Sequence, residues 1–331
     1  MEFAITFKGD IEPKRTAALC KQAEAAGFDY AWFFDSHVLW QECYTTMGYC
    51  IAQTEKLRFG PCVTNPGVRD WTVTASIFAA LSRLSGGRAD MGIGRGDSSR
   101  RVLNRKPLTL ANMVECMNVV RDLAAGKTIN FEGADIEFPW AKEHIPIWVA
   151  AYGPKALAVA GEHGDGLILQ IADPWLINWF AEQALEARKA AGKNPGDYRI
   201  MAAAPVWVDD DLAKGREQIG WFPAMVGNHV ADLVEKYGTA GQSVPQRLTD
   251  YIEGRKGYDY KHHADKDADH LDFISDEIID SFGINGPVDA HIEKIKELKS
   301  VGVTQFNIYL MCGDEERIVE EYGKHVIPAF K

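Results

Sequence analysis

Short apolar runs alternate along this chain with longer stretches whose apolar positions recur every three to four residues, the pattern of buried strands followed by amphipathic helices. FAITF at positions 3–7 predicts a strand, Pro13 to Ala26 a helix opened by proline and closed before Gly27, and Asp29 to Phe34 a second strand. The rhythm continues with strand Leu57 to Val63, helix Trp71 to Leu84, strand Ala89 to Ile93 and helix Leu110 to Ala125. KTINFEGADIEF then reads as a short hairpin and Ile147 to Ala150 as a buried strand. Helix Pro154 to His163, strand Gly166 to Gln170, helix Pro174 to Ala191 and strand Ile200 to Val208 follow. Helix Pro287 to Ser300, strand Thr304 to Leu310 and helix Asp314 to Val326 close the chain.

Eight strands, most followed by a helix, predict an α/β fold of the (β/α)8 TIM-barrel type rather than an open doubly wound sheet. At 331 residues the chain suits one such domain. Residues 209–280 break the rhythm and are too long for one strand-to-helix link, so they are read as an inserted helical excursion near the barrel mouth. A barrel of this kind places its site at the strands' C-terminal ends. The candidate loops are therefore Lys8 to Glu12, Asp35 to Glu42, Thr64 to Asp70, Gly94 to Lys106, Ala151 to Lys155 and Gln170 to Asp173.

Charge narrows the classes of partner. A formal net charge of −11 argues against general binding to nucleic acid or to an anionic membrane. No apolar run reaches membrane-span length and the N-terminus enters a strand pattern directly, which predicts a cytoplasmic protein. The six cysteines show no paired spacing, so reduced thiols are expected, with neither a disulfide framework nor a zinc site.

Gly87 to Arg101, GRADMGIGRGDSSRR, runs an apolar alternation into closely spaced glycines and then a basic loop. Glycines at this spacing let a ligand approach bare backbone. A dinucleotide fingerprint would need glycine where Asp97 stands, and an apolar helix directly after it. Arg95, Arg100, Arg101, Arg105 and Lys106 make the loop attractive to anions, or form a solvated charged face. Asp35, His37 and Trp40 share the loop after the second strand, where a histidine can move a proton; a capping aspartate beside a surface histidine is the plainer alternative. Cys62 and Val63 end the third strand before an Asn65-Pro66-Gly67 turn, and a cysteine there is ordinarily buried and inert. Tyr152, Gly153, Pro154 and Lys155 open a helix whose free N–H groups suit a phosphate. Asp265, Asp267 and Asp269 alternate as in a calcium loop, but His270 and Asp276 occupy the positions that need glycine and glutamate. His262, His263 and His270 are read as a solvated loop, so no metal is expected.

On GR..MGIGRGD, GPKALAVAGE..DG, the Asp/His loop and the closing QFNIYL strand with its HVIP tail, the chain resembles the luciferase-like oxidoreductases along nearly its whole length. The resemblance is to the deazaflavin (coenzyme F420) branch that includes methylenetetrahydromethanopterin reductase. It implies hydride transfer between F420 and a small organic substrate; an FMN-dependent monooxygenase using oxygen is the alternative. It also implies a cis peptide at Cys62–Val63 behind the ring, with Asp35, Gly94, Arg95 and Gly96 beside the cofactor. Tyr152, Gly153, Pro154 and Lys155 fall at the cofactor phosphate. His37 and Asp97 become the proton-handling candidates, with Lys8, Glu12 and Trp40 toward the substrate. Two positions depart from the family pattern: Asp35-Ser36-His37 stands where relatives usually read Ser-Asp-His, and Tyr152 replaces a small hydroxyl residue. A homo-oligomer is expected. A metal-dependent barrel hydrolase would want an H-x-H on the first strand, where this chain has FAITFK.

Overall fold

The computed structural model describes residues 1–226 and 275–331. Pro13 opens α1 (Pro13–Ala26), and the Glu12 carboxylate caps it by accepting from the N–H groups of Lys14 and Arg15. Gly27, at φ 90°, ends it in the left-handed conformation that glycine adopts without a Cβ penalty. The same device shapes α3 (Trp71–Ser85), capped by Asp70 and stopped by Gly86. The other helices around the sheet are α2 (Cys43–Ile51), the single turn α4 (Ser98–Arg101), α5 (Leu110–Ala124), α6 (Pro154–His163) and α7 (Pro174–Ala190).

The strands are β1 (Glu2–Phe7), β2 (Tyr30–Phe33), β3 (Arg58–Pro61), β4 (Met91–Ile93), the hairpin β5 (Ile129–Phe131) and β6 (Ala134–Ile136), β7 (Ile147–Ala150), β8 (Gly166–Leu169) and β9 (Arg199–Ala204). Later come β10 (Val206–Val208), α8 (Leu212–Ile219), α9 (Asp276–Phe282), β11 (Ile284–Gly286), α10 (Val288–Ser300), β12 (Gln305–Tyr309) and α11 (Glu315–Glu321). Eight of the strands form one parallel sheet in the order β3-β2-β1-β12-β9-β8-β7-β4. Its two edges meet through isolated parallel bridges, Phe59 to Ala89 and Thr64 to Ile93, and so close the predicted barrel. Glycine makes that approach possible. A Cβ on Gly60 would lie 2.3 Å from the Asp90 carbonyl oxygen, and one on Gly92 would lie 2.2 Å from that of Pro61.

The run read as one strand over Ile200 to Val208 is two. Pro205 interrupts it, and β10 leaves the barrel to pair in parallel with β11. His291 on α10 is buried beneath this small sheet. Its Nε2 faces the carbonyl oxygens of Trp207 and Gly286 at 3.2 and 3.1 Å, and its Nδ1 faces the Tyr322 hydroxyl at 2.8 Å. Burial pushes this imidazole down to about 4, so it stays neutral, with Nε2–H donating and Nδ1 accepting. Helix α8 lies inside the span read as an inserted excursion and α9 crosses its end at residue 280, while Asp265, Asp267, Asp269, His262, His263 and His270 lie outside the described residues.

The lower barrel is filled. Tyr30 and Trp32 stack at 5.4 Å, Trp148 meets Trp32 edge-on at 5.8 Å, and the fully buried Asp90 accepts from Trp148 Nε1 at 2.9 Å while pairing with Arg58. Phe330 packs over Phe3 at 5.6 Å from the chain's end. With that end plugged, room within the barrel lies at its C-terminal mouth. Among the described residues no helix is long and apolar enough to cross a membrane.

Candidate active site

The cleft at the mouth has a volume of about 230 Å³ and draws its walls from the ends of β2, β3, β4, β7 and β8. Its floor begins where β3 ends. The peptide bond between Cys62 and Val63 is cis, as the resemblance implied. The segment is pinned on both sides, with Cys62 N–H donating to Phe33 O at 2.7 Å and Thr64 N–H donating to Gly92 O at 2.9 Å. Val63 projects into space that only glycine leaves open, since a Cβ on Gly94 would sit 3.0 Å from Val63 Cγ2. Val63, Gly94, Ala150, Ala151 and Ile168 together give the cleft a wall of small or flat apolar groups.

Cys62 is buried and its thiol is poorly suited to nucleophilic attack. Burial pushes its thiol up to about 12, although the Tyr309 hydroxyl beside it opposes the shift, and all six cysteines are buried and free.

Asp35 lines the cleft from the loop after β2, and its carboxylate is fully engaged. Arg69 donates to both oxygens, at 2.6 and 3.0 Å, and Thr64 Oγ1 donates at 2.7 Å. Arg69 also reaches Glu42 at 3.2 Å and lies over the Tyr44 ring at 4.6 Å. The buried carboxylate raises the Arg69 pKa still further, against the desolvation that would lower it. Next to it, Ser36 Oγ lies 3.0 Å from Ser98 Oγ, which joins the β2 loop to the β4 loop.

The glycine-rich stretch is stapled to the turn at Asn65-Pro66-Gly67. Asn65 Oδ1 accepts from Gly67 N–H at 3.0 Å, and its Nδ2 donates to Ser99 Oγ at 2.9 Å. Arg100 donates to Gly67 O at 2.9 Å and to Lys106 O at 2.7 Å, so it holds main chain rather than facing a ligand. Gly96, at φ 87°, is required by this crowding: a Cβ there would meet Asn65 Oδ1 at 2.6 Å. Asp97 pairs with Arg101 one helical turn later. Arg95 is exposed at the rim and donates through Nε to Leu108 O at 2.6 Å.

Just after β7, Gly153 is the N-cap of α6 with no side-chain cap, and Pro154 occupies the first helical position. Lys155 is exposed on the lining and has no hydrogen-bond or ion-pair partner among the described residues. An uncapped helix start beside a free ammonium is a place for an anion. Tyr152 is turned inward: its hydroxyl accepts from Gln170 N–H at 2.8 Å, and burial raises its pKa.

The structure thus brings Asp35, Cys62, Val63, Gly94, Arg95, Gly96 and Asp97 to one cleft with Tyr152, Gly153 and Lys155. Pro154, His37, Trp40, Lys8 and Glu12 are not on its lining. His37 is exposed on the turn beside Ser36, and Trp40 packs against Phe34 at 5.3 Å. Lys8 pairs with Asp10 at 2.9 Å, and Glu12 caps α1. Sequence reasoning placed Arg69, Ser98 and Gln170 in candidate loops without singling them out. Gln170 carries a readable signal, a polar residue ending the apolar run GLIL at the mouth end of a barrel strand.

The model of a family described as luciferase-like monooxygenase matches residues 1–305. The chain belongs to that family. This luciferase-like chain is 31% identical over 344 residues, covering all of both proteins, to the 5,10-methylenetetrahydromethanopterin reductase of Archaeoglobus fulgidus. It is also 31% identical over 233 residues, 62% of each protein, to an F420-dependent hydroxymycolic acid dehydrogenase of Mycobacterium tuberculosis. Among solved structures, the coenzyme F420-dependent tetrahydromethanopterin reductase of Methanopyrus kandleri superposes with a TM-score of 0.79 at 25% identity, over 100% of this chain and 99% of that one. An F420-dependent secondary alcohol dehydrogenase shares the luciferase-like fold, with a TM-score of 0.74 at 20% identity over 100% of this chain and 99% of its own.

Proposed function

We propose that this chain is an oxidoreductase that transfers hydride between coenzyme F420 and a small organic substrate at the barrel mouth. The observation that carries the reading is the cleft itself, in which an apolar wall at Val63 and Gly94 shares one lining with an uncapped helix start and the free Lys155. Full-length similarity to the coenzyme F420-dependent reductase of Methanopyrus kandleri supports the same cofactor. The residues fit the group: the wall accepts a planar ring, and Gly153, Lys155 and Arg95 suit the phosphate and acidic tail. When bound, the deazaflavin supplies a two-electron hydride carrier.

The chain's own residues would orient that ring and exclude water from its face. Val63 and Ile168, on the lining, would hold the ring's face, and Asp35 holds the β2 and β3 loops together through Thr64 and Arg69. Asp97, on the cleft lining, and His37, on the exposed turn beside it, are assigned the accompanying proton. Work in the cytoplasm as a homo-oligomer completes the reading, with exposed Tyr49, Val73 and Leu84 as apolar surface for self-association.

The test is a titration of purified protein with F420 and, separately, with FMN, followed by absorbance, and by turnover against small alcohols, aldehydes and methylene-bearing pterins. Saturable F420 binding with reversible bleaching in the presence of a substrate is expected. FMN binding without F420 affinity would replace this reading with that of a flavin monooxygenase.

A further inference from the structure

Gln170 stands at the C-terminal end of β8, half-buried on the cleft lining, and its carboxamide is held from behind. Its Nε2 donates to the Tyr309 hydroxyl at 2.5 Å, and its backbone N–H donates to the Tyr152 hydroxyl at 2.8 Å. Tyr309 lies against the Cys62 thiol, so its hydroxyl can accept from Gln170 while donating to sulfur. Burial keeps both phenols protonated. With its proton given to the Cys62 sulfur, the Tyr309 hydroxyl has only lone pairs to offer, and the carboxamide turns its nitrogen to it. The carbonyl end has only a long 3.5 Å contact with the Tyr152 hydroxyl. One N–H and one carbonyl lone pair of Gln170 therefore have no partner among the described residues, and both belong to a side chain on the cleft lining. Both groups are open to the cleft, where a ligand can replace the water that otherwise satisfies them.

We infer that Gln170 is a cofactor-reading residue whose carboxamide pairs, donor to acceptor and acceptor to donor, with the imide edge of a pyrimidinedione ring. Such an edge alternates carbonyl, N–H and carbonyl, which a carboxamide matches in two adjacent hydrogen bonds. Tyr309 is the positioning residue that keeps the amide from flipping. The inference rests on the cofactor reading above, but the imide edge is common to deazaflavins and flavins, so it survives a change between the two.

The experiment measures Kd for F420 and for FMN, and the visible absorption of the bound chromophore, in wild-type protein, Gln170→Leu, Gln170→Glu and Tyr309→Phe. Thermal unfolding of each variant identifies folded samples; the nearly isosteric Gln170→Glu serves if the leucine variant fails to fold. Expected results are a tenfold or greater rise in Kd for whichever cofactor wild-type binds, and loss of the absorption shift that accompanies binding. Tyr309→Phe should give a smaller rise of the same kind. An unchanged Kd and spectrum in folded Gln170 variants would overturn the inference while leaving the oxidoreductase reading intact. Wild-type affinity for FMN alone would overturn the F420 reading while still testing Gln170. Affinity for neither ring overturns both.

Discussion

The Asp35 carboxylate and the Arg69 guanidinium meet in a two-pronged pair, at 2.6 and 3.0 Å, beneath the cleft. The Asp35 side chain is 1% exposed and that of Arg69 is 16% exposed, so the pair is desolvated as well as bonded. Removing the guanidinium leaves a buried carboxylate without its counter-charge. Arg69→Met is therefore expected to lower unfolding free energy by about 3–5 kcal/mol, read by urea denaturation. Arg69→Lys should recover only part of this, because an ammonium cannot span both oxygens.

Two glycines make opposite predictions. Gly92→Ala would force a methyl group against the Pro61 carbonyl and push β3 from β4. The cost is expected to be at least about 2 kcal/mol, with loss of ligand affinity measured in the same sample. Gly48 lies inside α2, where an added Cβ meets nothing closer than Leu81 at 3.9 Å. Gly48→Ala should stabilise the protein by about 0.5–1 kcal/mol in the same denaturation assay.

His291 sets a pH dependence. Its folded pKa is about 4, against 6.5 for a free imidazole, so between these values the unfolded chain binds the extra proton. Stability is accordingly full above pH 6.5 and falls as pH drops toward 4, by about 3 kcal/mol from this residue. Urea midpoints of wild-type and His291→Gln across that window should converge as pH falls. Parallel curves would contradict the assignment.

The cysteines are expected to be silent. All six are buried, and burial pushes the Cys62 and Cys116 thiols up to about 12. Titration of native protein with an aromatic disulfide reagent at pH 8 should report almost no reactive thiol, and six after denaturation.

The barrel was legible because its strands are short apolar runs punctuated by proline and glycine, which give a local signal. What stayed hidden depends on contacts across the fold. CYTTMGYCI forms α2 despite two threonines and a mid-helix glycine, since the buried Tyr44 and Met47 dock it on the barrel. The break at Pro205 was written in the sequence, yet the partner of β10 lies at residues 284–286, across a span with no strand pattern of its own. At the site, the residue types near Cys62, Gly94 and Gly153 could be read directly. The engagement of Arg100 with main chain and of Asp35 with Arg69 could not, because nothing local distinguishes an arginine facing solvent from one bonded to a neighbouring loop.

The seam at Gly60, Gly92 and Gly94 bears on how this protein can be altered. Gly60 and Gly92 bring β3 and β4 backbone to backbone, and Gly94 carries that closure to the cleft lining. Libraries directed at those positions should return mostly unfolded protein, whereas diversity at Ser36, Ser98 and Leu110, on the cleft lining, changes shape and polarity without touching the closure. Ligand preference in this barrel is free to drift at the rim while the seam stays fixed.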